Sequence, residues 1–411
     1  MGVEFISHRG AKAGEANLHE LRWSGGHLLL DCGADGASKS VIDGLERPDA
    51  VWVSHAHGDH CAGLLQLAAR WPRVPLLATE TTKRLLGYAL AGGDDSGGRR
   101  AEAVAKRVRT VEMKQFRALP GVNGAELMAL PAGHVPGAAM ALVRCEGTVV
   151  LYTGDFCTHD QAVVDGAGIP QLGGGESIDV LVTEAVLATD EQADRLRWDE
   201  EASKLVEAVE KADGPVLIGV GAIGESTEVA SLLVGAGVAV MVDEMLREVF
   251  EVCAPRLVDE VSFAGRRRMK QRLDAGGVVI AAGDQFRRTS SAGRLAGRII
   301  DDASATIVVL NRARETTGAG RLVGGARGDQ LEWAGRPVVL EAEVVHRRLI
   351  NHAPRWQLDA VIRGVGAKKT LLVHGTDGAR WALKRAVQKA GYNGEVVVGE
   401  SGVLYAAIAA C

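Results

Sequence analysis

Four side chains of metal-ligand type fall within six positions of the chain. They are His55, His57, Asp59 and His60, in the run Ser-His-Ala-His-Gly-Asp-His-Cys that begins at residue 54. Imidazole nitrogens and carboxylate oxygens are the donors that divalent transition metals take. The run follows an apolar stretch, Ala50-Val51-Trp52-Val53, that reads as a buried strand, so the donors sit at a strand end. In an extended segment His55 and His57 point the same way and can share one ion. Asp59 and His60 begin the next turn and can face a second.

Two ions need more donors than four residues supply, since each takes roughly four to five, one of them water. Three later positions offer them. His134 follows Leu127-Met128-Ala129-Leu130, Asp155 follows Val149-Val150-Leu151, and His374 ends Leu371-Leu372-Val373. Each alone reads equally as a satisfied core histidine or a turn aspartate. Together, all at strand ends, they favour one shared site.

The His-x-His-x-Asp-His run resembles the signature of the metallo-β-lactamase superfamily. Its members hold two metal ions, usually zinc, at the edge of an αββα sandwich. The resemblance implies that His55, His57 and His134 bind one Zn2+ and that Asp59, His60 and His374 bind the other, with Asp155 bridging. It also implies that Asp31, in Leu28-Leu29-Leu30-Asp31-Cys32-Gly33, orients the ligand histidines without binding metal itself. Manganese or iron stand as alternatives, because availability as well as affinity decides.

The elements that must position these residues divide in three. Short apolar strands dominate residues 1–194, and strands resume over 335–411. Between them, 195–334 alternates apolar strands such as Val216–Val220 and Val278–Ala281 with helical stretches, the pattern of an α/β domain on a mainly parallel sheet. The expected fold class is therefore α/β, a metallo-β-lactamase sandwich with an inserted α/β domain. Such an insertion, placed between the first ligands and His374, resembles the β-CASP group of nucleases. Three further marks carry that resemblance: Glu184 ending Val180-Leu181-Val182-Thr183, His352 in Asn351-His352-Ala353, and His374 in Val373-His374-Gly375. Gly10–Asn17 resembles the group's opening glycine-rich turn. The sequence departs from the group at Ala185–Ala188, Pro354 and Thr376, where substrate or supporting groups would sit.

The resemblance implies a hydrolase that cleaves phosphodiester bonds of single-stranded RNA through a metal-bridging hydroxide, in RNA processing or decay. Asp59 would steer the water, and His352, held by Glu184, would protonate the leaving oxygen. Histidine at 374 favours RNA over DNA. A DNA nuclease of the same group and an inactive scaffold subunit are the alternatives, and both endo- and exonucleolytic cleavage stay open. Arg287, Arg288, Ser290, Ser291 and Arg321, in the inserted segment, are the candidates for holding phosphates.

Composition bounds this reading. With 47% apolar and 24% charged residues, the 411-residue chain is expected to be globular and soluble. A net charge of −5 argues against a broadly basic surface, leaving RNA binding to a local groove. The six cysteines (32, 61, 145, 157, 253 and 411) form no Cys-x-x-Cys, which fits a reduced, cytoplasmic setting. No signal-peptide pattern and no long apolar run appear, so no membrane is expected, and a homodimer is kept as an option.

Overall fold

The computed structural model of the chain describes residues 2–12, 14–35, 37–91, 95–173 and 175–406, so Cys411 lies outside the described residues. Two compact units are present. The first contains residues up to Asp160, Val164–Arg195 and Asn351 onward; the second contains Gln161–Val163 and Leu196–Ile350.

The first unit is built on two seven-stranded sheets. One runs in the order Leu404–Ala406, Glu4–Arg9, Leu18–Trp23, Gly26–Leu30, Ala50–Trp52, Leu76–Ala78, Val108–Thr110. The other runs Glu395–Val398, Lys369–Leu372, Val180–Thr183, Thr148–Tyr152, Ala139–Cys145, Ala125–Pro131, Arg117–Ala118. Alternation with a period of two decides which face of each strand is shared. Leu28 and Leu30, Ala50 and Trp52, Leu127 and Ala129, Val150 and Tyr152, and Val180 and Val182 all enter one common core. The opposite faces are not polar: Leu29, Val51, Leu76 and Leu142 are buried too, as are Leu64, Leu67, Leu85 and Leu86 of the helices Leu64–Arg70 and Glu80–Ala91. Strands apolar on both faces need helices outside and a second sheet inside, which is the α/β sandwich.

In the second unit a six-stranded sheet runs Ser262–Ala264, Val240–Asp243, Val278–Ala282, Val216–Val220, Thr306–Leu310, Glu343–Arg347, parallel throughout. Its central strands read as unbroken apolar runs because helices cover both faces. The strand Glu343–Arg347 pairs with Thr306–Leu310, so the unit continues to Ile350 and the expected division at 335 falls inside it. Among the described residues no helix is long and apolar enough to cross a membrane.

One carboxylate of this unit gives a pH-dependent expectation. Glu225 accepts from Gly221 N (2.6 Å) and from the Asn311 side chain. Burial, and then the neighbouring Asp284, push its pKa from the ordinary 4.5 up to about 7. Between those values the folded chain holds a proton that the unfolded chain has released, so stability falls as pH rises through that window. Glu225→Gln should therefore raise Tm at pH 8 and leave it nearly unchanged at pH 4. Thermal unfolding across that range checks it, and an unaltered pH slope would refute it.

Candidate metal centre

All the candidate ligands, with Asp31, Glu184 and His352, belong to the first unit. Asp31, His55, His134, Asp155, Glu184 and His374 each lie one to three residues beyond the carboxyl end of a strand. The sheet delivers their backbones, and hydrogen bonds set their rings. Ser54 Oγ donates to Asp31 Oδ2 (2.8 Å) and therefore accepts from His55 Nδ1 (3.0 Å). His60 Nδ1 donates to Asp31 Oδ2 (2.7 Å), and His134 Nδ1 donates to the Asn351 carbonyl (2.8 Å). Each bond commits Nδ1 and turns a bare Nε2 toward the centre. His57 is placed the other way round. Its Nδ1 lies 3.2 Å from both His55 Nε2 and His134 Nε2.

Two groups of donors result. The donor atoms of His55, His57 and His134 lie within 4.8 Å of one another, and so do those of Asp59, His60 and His374. Asp155 faces both. Its Oδ2 lies 3.2 Å from His60 Nε2, 3.7 Å from His55 Nε2 and 3.8 Å from His134 Nε2; its Oδ1 lies 3.4 Å from His374 Nε2. Asp155 Oδ1 is buried with no hydrogen-bond donor aimed at it. Asp59 is half exposed, with Oδ2 4.0 Å from both His60 Nε2 and His374 Nε2.

The electrostatics fit cations. Burial first, and then the neighbouring imidazoles, hold His55 and His134 well below the ordinary histidine pKa, so both rings are neutral ligands at pH 7. Lone pairs crowded at 3.2 Å, beside a carboxylate oxygen lacking a donor, are stabilised by positive charge placed among them. This donor set implies divalent-metal binding. Cys61, next to His60, is fully buried, and burial raises its thiol pKa well above the usual value, so it packs rather than reacts.

Asp31 adopts a positive φ of 63° and accepts four hydrogen bonds: from Ser54 N and Oγ, His60 Nδ1 and Tyr152 Oη (2.6 Å). It touches His60 directly and His55 through Ser54. Gly154 is needed here, because a Cβ at its φ of 55° would stand 2.9 Å from Ser54 Oγ. Ser54 and Tyr152 were not anticipated from sequence. The available signal was a tyrosine inside an apolar strand, whose hydroxyl must find a partner once buried.

Beside the donors stands a second device. His352 Nδ1 lies 3.1 and 3.2 Å from the two Glu184 carboxylate oxygens. Glu184 is itself fixed by Phe156 N (2.9 Å) and Val186 N (3.2 Å). Burial opposes charge on His352, but Glu184 and Asp155 outweigh it and raise its pKa to about 9. The ring is 23% exposed, so its protonated edge can reach a substrate.

The phosphate-holding candidates all lie in the second unit. Arg287, Arg288 and Arg321 line one cavity of about 520 Å³ together with Thr316, Thr317 and Glu332. Ser290 and Ser291 are not among its lining residues. The Ser290 hydroxyl accepts from Gly293 N (3.1 Å) and donates to Arg287 O (2.8 Å), capping the helix Ser291–Ile299.

Residues 21–196 match the model of the Metallo-beta-lactamase superfamily. An uncharacterized protein from Synechocystis sp. is 32% identical over 219 residues, 52% of this chain and 37% of that protein. Endoribonuclease YSH1 from Kluyveromyces lactis is 27% identical over 253 residues, 56% of this chain and 33% of that protein. Cleavage and polyadenylation specificity factor subunit 3 from Dictyostelium discoideum is 26% identical over 231 residues, 52% of this chain and 29% of that protein. The chain thus spans about a third of the length of these curated relatives. A crystal structure of a protein of unknown function from Enterococcus faecalis superposes with a TM-score of 0.65 at 14% identity, covering 98% of this chain and all of that one, and shares the fold.

Proposed function

We propose that this chain, which carries a metallo-β-lactamase superfamily domain, is a two-metal ribonuclease acting on single-stranded RNA. His55, His57 and His134 would hold one divalent cation, Asp59, His60 and His374 the other, and Asp155 would touch both, with zinc the expected metal. When bound, such a pair supplies Lewis acidity that lowers the pKa of water and neutralises phosphate charge. The chain's own residues supply the rest. Asp59, at the solvent-facing side, orients a water by accepting its hydrogen bond. His352, held by Glu184, would give up its Nε2 proton to the departing oxygen. Glu184 keeps Nδ1 committed, so only Nε2 exchanges.

The observation that carries this reading is the juxtaposition of two donor sets around Asp155 with a hydrogen-bonded histidine–glutamate pair beside them. A cation pair alone fits many hydrolases; an acid for an alkoxide leaving group fits phosphodiester cleavage. The relatives named as endoribonucleases support RNA as substrate. The test is the product pattern on 5′-labelled single-stranded RNA and on DNA of matched sequence, alongside the metal content of the purified chain. Cleavage of RNA but not DNA, with about two equivalents of metal, is expected. Full metal with no cleavage of RNA would refute it.

We also propose that Arg287, Arg288 and Arg321, and by expectation Ser290 and Ser291, hold RNA phosphates. Arg287→Ala with Arg288→Ala should weaken RNA binding and reduce the slope of log affinity against log salt by about 0.7 per lost contact. Kd measured across a salt series reads this directly. An unchanged slope would mean these arginines contact only solvent.

A further inference from the structure

We propose that one edge of the second unit carries a continuous strip of basic side chains that binds the phosphates of about six consecutive nucleotides, and that the helix Arg266–Asp274 forms its outer part. The inference rests on the reading of the chain as a ribonuclease for the identity of the polyanion. It adds a separate binding segment to Arg287, Arg288 and Arg321.

Alternation along the parallel strands sorts the helices of this unit onto two faces. Leu217, Val279 and Ile307 pack with Met269 of Arg266–Asp274, Leu295 of Ser291–Ile299 and Leu322 of Gly318–Gly324. Ile218, Ile280 and Val308, each one residue further along, pack with the helices Trp198–Glu210, Glu225–Gly235 and Arg247–Cys253 on the other face. The two faces differ in charge where their helices begin. On the second face the first turns hold Asp199, Glu200 and Glu201, then Glu225 and Glu228, then Glu248. Acids there suit the positive end of a helix. On the first face none of the three first turns holds an acid. Residues 265–272, 284–294 and 311–321, which lead into and open those helices, contain eleven arginines and lysines against two acids, Asp284 and Glu315.

The three basic segments fall in line. They follow the strands Ser262–Ala264, Val278–Ala282 and Thr306–Leu310, which run parallel and take the first, third and fifth places in the sheet. Parallel strands set all three segments at one edge. Alternate places lie roughly 10 Å apart, so the strip spans about 20 Å. That is about six nucleotides at 3.4 Å each. The cavity lined by Arg287, Arg288 and Arg321 lies between the second and third segments.

The outer segment is not explained by packing. Met269 and Leu273 are the buried positions of its helix, and Arg266, Arg267, Arg268 and Lys270 are exposed. Among the described residues none of these four side chains forms an ion pair. Asp274, the one acid of the helix, is taken by Arg298 at 3.0 Å. Arg272 turns inward and donates to Ala239 O (3.2 Å). The four free cations work against the helix. Three stand at its positive end, and Arg266 meets Lys270 four residues on. Cations held against local stability, on a chain whose net charge is −5, mark a surface that a polyanion completes. Their even spacing along one line fits a phosphate backbone.

The test reads the affinity of the full chain for uridylate oligomers with phosphorothioate linkages, which keep the charge and resist cleavage, across a salt series. With an oligomer of about 12 nucleotides, Arg266→Gln with Lys270→Gln should lower the slope of log affinity against log salt by about 1.4, at 0.7 per lost contact. With one of about three nucleotides, too short to reach from the cavity to this helix, the slope should stay as in the parent. Lys204→Gln with Lys211→Gln removes the same charge from exposed positions on the opposite face and should leave both slopes unaltered. The Arg266/Lys270 double variant should unfold at no lower temperature than the parent, since a like-charge pair is gone. An unchanged slope with the longer oligomer, an equal fall with the shorter, an equal fall in the Lys204/Lys211 variant, or a lower unfolding temperature overturns the strip alone. A parent chain that neither binds nor cleaves RNA overturns the ribonuclease reading, and the strip with it.

Discussion

Asp155→Asn is expected to abolish turnover and to lower the metal content of the purified chain. The oxygens of Asp155 face both donor sets, Oδ2 3.7 Å from His55 Nε2 and Oδ1 3.4 Å from His374 Nε2. The substitution keeps the shape and removes the charge. It also sets an amide N–H2 against rings whose Nε2 must stay bare, so the loss exceeds that of one ligand. Metal-ion catalysis is worth several kcal/mol of charge stabilisation, on the order of 10³-fold or more in rate. Metal analysis and RNA cleavage on the same preparation check the two effects together. A variant that keeps two equivalents and cleaves at more than about a tenth of the parent rate would remove Asp155 from the centre.

The second large effect separates chemistry from metal binding. His352→Ala should lose roughly 10²–10⁴-fold in kcat, the usual worth of a general acid, with metal content unchanged. It should also lose the alkaline limb of the pH–rate profile, since in the parent that limb marks His352 giving up its proton. Glu184→Gln should fall in between. It keeps an acceptor for His352 Nδ1 and removes the charge that raises the ring's pKa. If His352→Ala instead emptied the centre, the ring would be serving as a ligand to the ion beside His134, whose ring centroid lies 4.5 Å away. The roles assigned above would then be reversed.

How much of this was legible in the sequence depends on how local the signal is. The run from His55 to His60 announces itself because four donors crowd one loop. His134, Asp155 and His374 were legible because each follows an apolar run, and strand ends are where a sandwich collects side chains; Glu184 stood out only through resemblance. The groups that orient the ligands were harder. Asp31 stood out only through resemblance. Tyr152 and Ser54 look like ordinary strand and turn residues until their shared acceptor is known. His19 lies on a polar-looking strand, Leu18–Trp23, and Asn17 just before it; their burial comes from the far sheet and from the segment carrying His374, which no local window contains. The strand Glu343–Arg347 was equally ambiguous. Five residues with two valines suit the edge of either sheet, and only the pairing with Thr306–Leu310 decides.

The spacing of the ligands along the polypeptide carries a consequence for biogenesis. His55, His57 and His134 have all emerged once the first third of the chain is made, whereas the set around His60 lacks its last histidine until residue 374, after the whole second unit. A ribosome works from the amino end, so the three histidines of one proposed set leave it long before the last donor of the other. Metallation would thus be ordered in time, and a truncated product could carry a single ion without ever assembling a working pair.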